Sequence, residues 1–285
     1  MKFVSFRRPN GSAAWGRVDG DTIVELGVEG AVAPADLKTA IATRSLGDLV
    51  DGPRHALAET ALLPVIPNPG KILCVGHNYE SHRQETGRAK VDHPSIFTRF
   101  ADTLVGHGQP ILRPNASTNL DYEAELAIVI GKGGRAIAEA DAMDHIAGYA
   151  CFNDASVRDW QWHTSQFTPG KNFPATGGFG PWLVTPNEAG ELADIRVISR
   201  LNGQVMQDQP VRDMIFPIAR IIAYVSAFTP LSPGDVIATG TPGGVGAKRN
   251  PPVWMKAGDV IEVDIGPIGT LTNTIADEAL SSSDQ

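Results

Sequence analysis

A β-rich α+β fold is the class this chain predicts, and three observations carry it. Short runs of β-branched and aromatic residues recur along most of the sequence, divided by turn formers, with 30 Gly and 21 Pro in 285 residues. Few stretches show the 3.6-residue apolar period of a helix; in the clearest, 218–228, Ile218, Ile221, Ile222 and Val225 share one face. Strands and helices do not alternate steadily, which argues against a doubly wound parallel sheet. A chain of this length with 42% hydrophobic residues can bury a full core.

Taken in order, residues 1–66 read as a small N-terminal α+β domain. Asn10-Gly11 and Asp19-Gly20 are hairpin turn signals between β-type runs at 2–6, 14–18 and 22–26. Pro34-Ala35-Asp36 opens a short helix through Ala42, and 46–50 and 55–63 also read as helical. The breaker-rich run from Pro64 to Gly70 marks a boundary, so that 67–285 forms the larger domain. There, strands are predicted over 71–75, 95–99, 122–130, 145–152, 182–184, 196–201, 236–239 and 260–265. Helices are predicted over 78–85, 155–161 and 218–228. No internal repeat interrupts this order.

Composition excludes several classes of function. The net charge of -8 and the lack of a basic stripe argue against nucleic acid. No apolar run is long enough to span a bilayer, and Arg7 and Arg8 interrupt any signal-like start. Cys74 and Cys151 lie in apolar surroundings, so a disulfide is not expected. A cytoplasmic protein acting on small molecules is the expectation.

The chemistry concentrates at Leu120-Asp121-Tyr122-Glu123-Ala124-Glu125-Leu126, which runs into the apolar Ala127–Ile130. On a strand, Asp121, Glu123 and Glu125 point the same way, with neighbours roughly 6–7 Å apart. Carboxylates that close repel one another unless a cation sits among them, so this face reads as a divalent-metal site. On a helix opened by Asn153 or Asp154, Asp154, Arg158 and Gln161 fall on one side. Asp154 is then a third oxygen ligand beside an Arg158–Gln161 grip on a carboxylate, or else a cap with a surface ion pair. One helical turn brings His82 to Glu85, as a water-activating base requires, although a surface pair has the same spacing. Lys171, among turn-forming and aromatic residues, is either half-buried and aimed at an anion or an exposed loop lysine. The glycine-rich 239–246 fits neither nucleotide fingerprint and reads as close backbone approach to a small anion, or as tight turns.

Together these segments resemble the fumarylacetoacetate hydrolase family. The residues that carry the likeness are Gly76-His77-Asn78-Tyr79 with His82 and Glu85, Asp121-Tyr122-Glu123-Ala124-Glu125-Leu126, and Asn153-Asp154 with Arg158-Asp159 and Gln161. Gly170-Lys171, Asn202-Gly203 and Thr239-Gly240-Thr241-Pro242 with Gly244-Val245-Gly246 extend it. The resemblance implies a β-roll catalytic domain that pairs into homodimers, and Mg²⁺ or Mn²⁺ on Glu123, Glu125 and Asp154, with Asp121 not a ligand. It further implies a lid in which His82 and Glu85 activate water, and Tyr79, Arg158, Gln161, Lys171 and Thr241 around a small α-keto acid. His77 and Arg99 depart from residues frequent in the family.

The reaction expected on this basis is hydrolysis of a carbon–carbon bond in a 2,4-diketo acid of the acylpyruvate type, in which Lys171 helps to hold a pyruvate-like enolate. It would suit the catabolism of aromatic compounds. The alternatives are oxaloacetate tautomerisation or decarboxylation and hydroxymuconate-type isomerisation, which pass through a similar enolate. A non-catalytic metal-binding protein is a further alternative.

Overall fold

Residues 126–130 are apolar on both faces because both faces are covered. The computed structural model describes residues 1–27, 34–43, 46 and 49–279. Its strands are β1 (Lys2–Arg7), β2 (Ala13–Asp19), β3 (Thr22–Leu26), β4 (Asp51–Ala56), β5 (Ile72–Gly76), β6 (Ser95–Arg99), β7 (Leu104–Val105), β8 (Ile111–Arg113) and β9 (Leu120–Asp121). They continue as β10 (Ala124–Ile130), β11 (Ile146–Asp154), β12 (Ser156–Val157), β13 (Gly177–Val184), β14 (Arg196–Leu201), β15 (Gln204–Pro210), β16 (Val236–Ala238), β17 (Val260–Asp264) and β18 (Thr270–Asp277). The helices are α1 (Leu37–Ala42), α2 (Glu80–Glu85), α3 (Arg158–Gln161), α4 (Thr168–Lys171), α5 (Pro186–Ala189) and α6 (Ile218–Phe228). The β-rich α+β class predicted from sequence is the class observed.

The main sheet runs β4-β3-β2-β1-β13-β11-β10-β16-β5-β6, and β7 pairs with β13 at its side. A second sheet runs β15-β14-β17-β18-β8, and β9 pairs with β12 alone. Side-chain alternation along β10 sends Leu126, Ile128 and Ile130 into one core with α6 and the second sheet. Ala127 and Val129 enter the opposite core with Phe3, Trp15 and Leu37. The N-terminal strands join this sheet through β1 and β13 (Lys2↔Val184, Phe3↔Leu183).

Several elements differ from expectation for definable reasons. The 55–63 segment is not helical: Asp51–Ala56 is a strand paired with β3 (Ile23↔His55, Val24↔Arg54), followed by a 3₁₀ turn at Leu57–Glu59. Pairing, with His55 set 3.1 Å from Glu25, outweighs the weak helical preference of its Ala and Leu residues. Helix α1 starts later than expected, capped by Asp36, whose Oδ1 accepts from Thr39 N at 2.7 Å. The helix expected over 46–50 falls partly on residues 47 and 48, outside the described residues. Strand β13 begins five residues before the predicted 182, across glycines whose lack of side chain is needed there. A Cβ on Gly178 would lie 2.7 Å from Asn273 Oδ1, and one on Gly177 3.0 Å from an Arg99 nitrogen.

Candidate active site

The acidic face forms from two adjacent strands, not from one strand and a helix. Asp154 ends β11, and its N–H donates to Glu123 O at 2.9 Å, which sets it directly across from Glu123. Ala124 pairs with Asn153 and Glu125 with Phe152, so Glu123, Glu125 and Asp154 share one face. One carboxylate oxygen from each lies within 4.8 Å of the others, and all three residues are buried. The expectation that Asp154 opens a helix is therefore corrected: Ser156–Val157 is a strand and only Arg158–Gln161 is helical.

Asp121 is turned out of this set because the strand breaks at Tyr122 and Glu123. Its residue pairs instead with Ser156, and its carboxylate accepts from Gly246 N (2.7 Å), Ala247 N (3.0 Å) and Arg158 Nε (2.8 Å). Arg158 in turn places Nη1 2.6 Å from Glu123 Oε1 and 2.8 Å from Gln161 Oε1, while its buried Nη2 has no partner among the described residues. Lys171 is 1% exposed and donates to Glu123 Oε2 and Asp154 Oδ2, each at 2.7 Å. Its ammonium also lies 5.0 Å from the Phe97 ring centre.

Four buried carboxylates, Asp121, Glu123, Glu125 and Asp154, thus face three buried cations, Arg99, Arg158 and Lys171. Burial alone would raise Glu123, but Lys171 and Arg158 outweigh it and hold its carboxyl well below the usual range. Glu125 goes the other way: burial, then the charges of Asp154 and Glu123, push it well above its ordinary value. That imbalance fits a hard cation, since a converging set of carboxylate oxygens with surplus negative charge is what such an ion relieves. Glu123, Glu125 and Asp154 can hold a metal ion.

His82 lies on α2, 4% exposed, with Nδ1 2.7 Å from Glu85 Oε1. Glu85 Oε2 accepts from Gly244 N at 2.8 Å, and Ser81 Oγ accepts from Gly243 N at 2.9 Å. Gly240 N donates to Glu125 Oε2 at 2.8 Å. Four amides of the glycine-rich loop, those of Gly240, Gly243, Gly244 and Gly246, are therefore committed to the protein's own oxygens, which ties the loop to α2 and the acidic strand. Gly240, at φ 103°, needs its missing side chain, because a Cβ there would sit 2.5 Å from Asn78 Cβ.

A cleft opens over this centre. His82, Glu123, Glu125, Arg158, Gln161, Lys171 and Thr241 line it. Glu85 and Asp154 stand behind that lining. Tyr79 does not reach the cleft: the residue preceding α2 turns its ring into the main core, where its hydroxyl is buried without a partner among the described residues. The hydroxyl of Thr241 is committed as well, donating to Ala124 O at 2.8 Å and accepting from Gln207 Nε2 at 2.7 Å.

Residues 71–276 match the family model described as Fumarylacetoacetate (FAA) hydrolase C-terminal. The chain belongs to the fumarylacetoacetate hydrolase family. Within it, the chain is 38% identical over 266 residues to the mitochondrial oxaloacetate tautomerase fahd2 of Xenopus laevis, covering 90% of this chain and 83% of that protein. It is 42% identical over 225 residues to oxaloacetate tautomerase YisK of Bacillus subtilis, covering 78% and 75%. Among solved structures, a fumarylacetoacetate hydrolase from Exiguobacterium antarcticum superposes with a TM-score of 0.85 at 35% identity, covering 98% of this chain and 100% of that one. A 5-carboxymethyl-2-hydroxymuconate delta-isomerase from Mycobacterium smegmatis does so at 0.80 and 30%, with the same coverage.

Three further residues take part in the site: Arg99 and His77, marked in the sequence only as departures from the family pattern, and Gln207, which carried no signal. Arg99 is fully enclosed and donates to Asp154 Oδ1 at 2.6 Å and Thr176 Oγ1 at 2.7 Å. Gln207, on β15, ties Ala124 N to Thr241 and Pro242. His77 stacks on His82 with ring centres 5.2 Å apart and planes 13° apart. Burial, then the neighbouring His82, lowers the His77 pKa to about 4. His77 also has a left-handed backbone (φ 56°), which sequence does not show.

Proposed function

We propose that this protein is a divalent-metal-dependent enzyme of enolate chemistry that interconverts the keto and enol forms of a small 2-oxo diacid of the oxaloacetate type. The observation that carries this reading is the likeness to oxaloacetate tautomerases, at 38–42% identity over at least 78% of this chain. The site supports it through a buried carboxylate centre, a fixed ammonium and an imidazole on one cleft. We take the ion to be Mg²⁺ (or Mn²⁺), because every donor in the set is a carboxylate oxygen. Once bound, such an ion polarises a 2-oxo group and favours its enolate.

The chain's own residues divide the remaining work. The Nδ1–H tautomer of His82 donates to Glu85, which leaves Nε2 as an acceptor able to take a proton from carbon 3 of the keto form. The oxygen on carbon 2 gains a proton in exchange, and the reverse path returns a proton to carbon 3, so the reaction is neutral in atoms and charge. Arg158, held in place by Asp121 and Gln161, has its buried Nη2 free to donate to the carboxylate on carbon 1. Lys171, kept charged by Glu123 and Asp154, opposes the negative charge that develops on the enolate oxygen.

Hydrolysis of an acylpyruvate is the second reading, and the 2.7 Å His82–Glu85 contact favours it, since the same pair can activate water. The test is to monitor the decay of enol-oxaloacetate by ultraviolet absorbance with Mg²⁺-loaded protein, alongside cleavage of acetylpyruvate and fumarylpyruvate. Ketonisation accelerated by protein and abolished by chelator supports tautomerisation. Cleavage without accelerated ketonisation selects the hydrolase, and inertness towards all three rejects both.

A further inference from the structure

Two cations at the mouth of the cleft have no carboxylate partner among the described residues. The Arg88 guanidinium lies 5.8 Å from the Phe167 ring centre, and Lys248 Nζ 5.8 Å from that of Trp162. Both residues line the cleft, and both are exposed. Their neighbours are engaged elsewhere: Arg83 pairs with Glu80, and Arg249 donates to Tyr122 Oη and to Met206 O.

The backbones that carry these two charges are fixed to the site. Arg88 N donates to Arg83 O at 3.0 Å, and Arg83 Nη1 donates back to Arg88 O, which ties the residue to the end of α2. Lys248 ends a 3₁₀ turn whose Gly246 and Ala247 amides are held by Asp121, the same carboxylate that orients Arg158. Arg88 also borders an adjoining cavity that contains Lys90, so positive charge continues outward along this wall. In a protein of net charge -8, unpaired cations over an anionic centre point to a second negative group on the ligand.

We propose that Arg88 and Lys248 form a cationic collar that takes the distal carboxylate of a 2-oxo diacid and so selects diacids over 2-oxo monoacids of equal length. The proposal rests on the functional reading above, in which the 2-oxo carboxylate end lies at the acidic centre.

The experiment is calorimetric titration of the Mg²⁺-loaded full chain with 2-oxoglutarate and with 2-oxopentanoate, which differ by a carboxylate in place of a methyl group. Wild type, Arg88→Gln, Lys248→Gln and the double variant are compared. The diacid-to-monoacid affinity ratio is expected to fall about tenfold in each single variant, and further in the double, as expected on losing a charged hydrogen bond. Raising ionic strength should lower the wild-type ratio and leave that of the double variant nearly level. If wild type binds both acids and the ratio is the same in all four proteins, the collar is overturned while the functional reading stands. If wild type binds neither acid, the collar is overturned, and the ketonisation assay alone decides the functional reading.

Discussion

Lys171 has almost no contact with water, yet it stays an ammonium. Burial alone would lower its pKa, but Asp154 and Glu123 outweigh burial and raise it above the ordinary lysine value. With Lys171 as counter-ion, the base in the proposed reaction is another group, His82. Replacing His82 by Ala should slow tautomerisation by about 10²–10⁴-fold, the usual span for losing a positioned base, while Mg²⁺ affinity by calorimetry stays within twofold. Loss of the metal from that variant would instead make His82 a ligand. His77 offers a separate test, because its left-handed backbone costs roughly 1 kcal/mol for any residue with a Cβ. His77→Gly should therefore be more stable to urea than His77→Ala by about 1 kcal/mol, reversing the usual order of these residues. The carboxylates were legible at this scale because strand alternation fixes where Glu123 and Glu125 point. Arg99 and Gln207 were not, since their roles depend on strands that meet only in three dimensions.

At the scale of elements, the N-terminal strands are stapled by charge. Glu25 on β3 accepts from Arg8 at 2.5 Å and sits 3.1 Å from His55 on β4. Burial raises its carboxyl, but Arg8 and His55 outweigh that and leave its pKa below the ordinary value. A depressed carboxylate stabilises the fold above its unfolded pKa and loses that contribution as pH falls through the folded value. Glu25→Gln should thus be less stable than wild type at pH 7, and the gap in melting temperature should narrow as pH drops below about 4. A constant gap from pH 7 to 3 would mean that the pair contributes through packing alone. Helix α6 and strand β6 were readable residue by residue, because one has a clean helical period and the other has clear flanking turns. Strand β4 and the glycine-led start of β13 were hidden: the first looks helical in isolation, and the second is shaped by the Arg99 and Asn273 side chains that press on it.

For the molecule as a whole, the core does not respect the boundary placed near residue 66. Phe3, Trp15, Leu26 and Leu37 pack in one cluster with Ile72, Ala127, Phe152 and Phe179. Removing the first 66 residues would bare that face of the main sheet and the free edge of β13. We expect a 67–285 fragment to aggregate or to lack a cooperative melting transition. A soluble fragment with a sharp transition would establish independent folding.

Glu85 divides its two oxygens between the imidazole of His82 and the backbone of Gly244. Position and orientation are thereby joined: any displacement of α2 from the glycine-rich loop would part Glu85 from Gly244 and loosen its hold on the His82 imidazole.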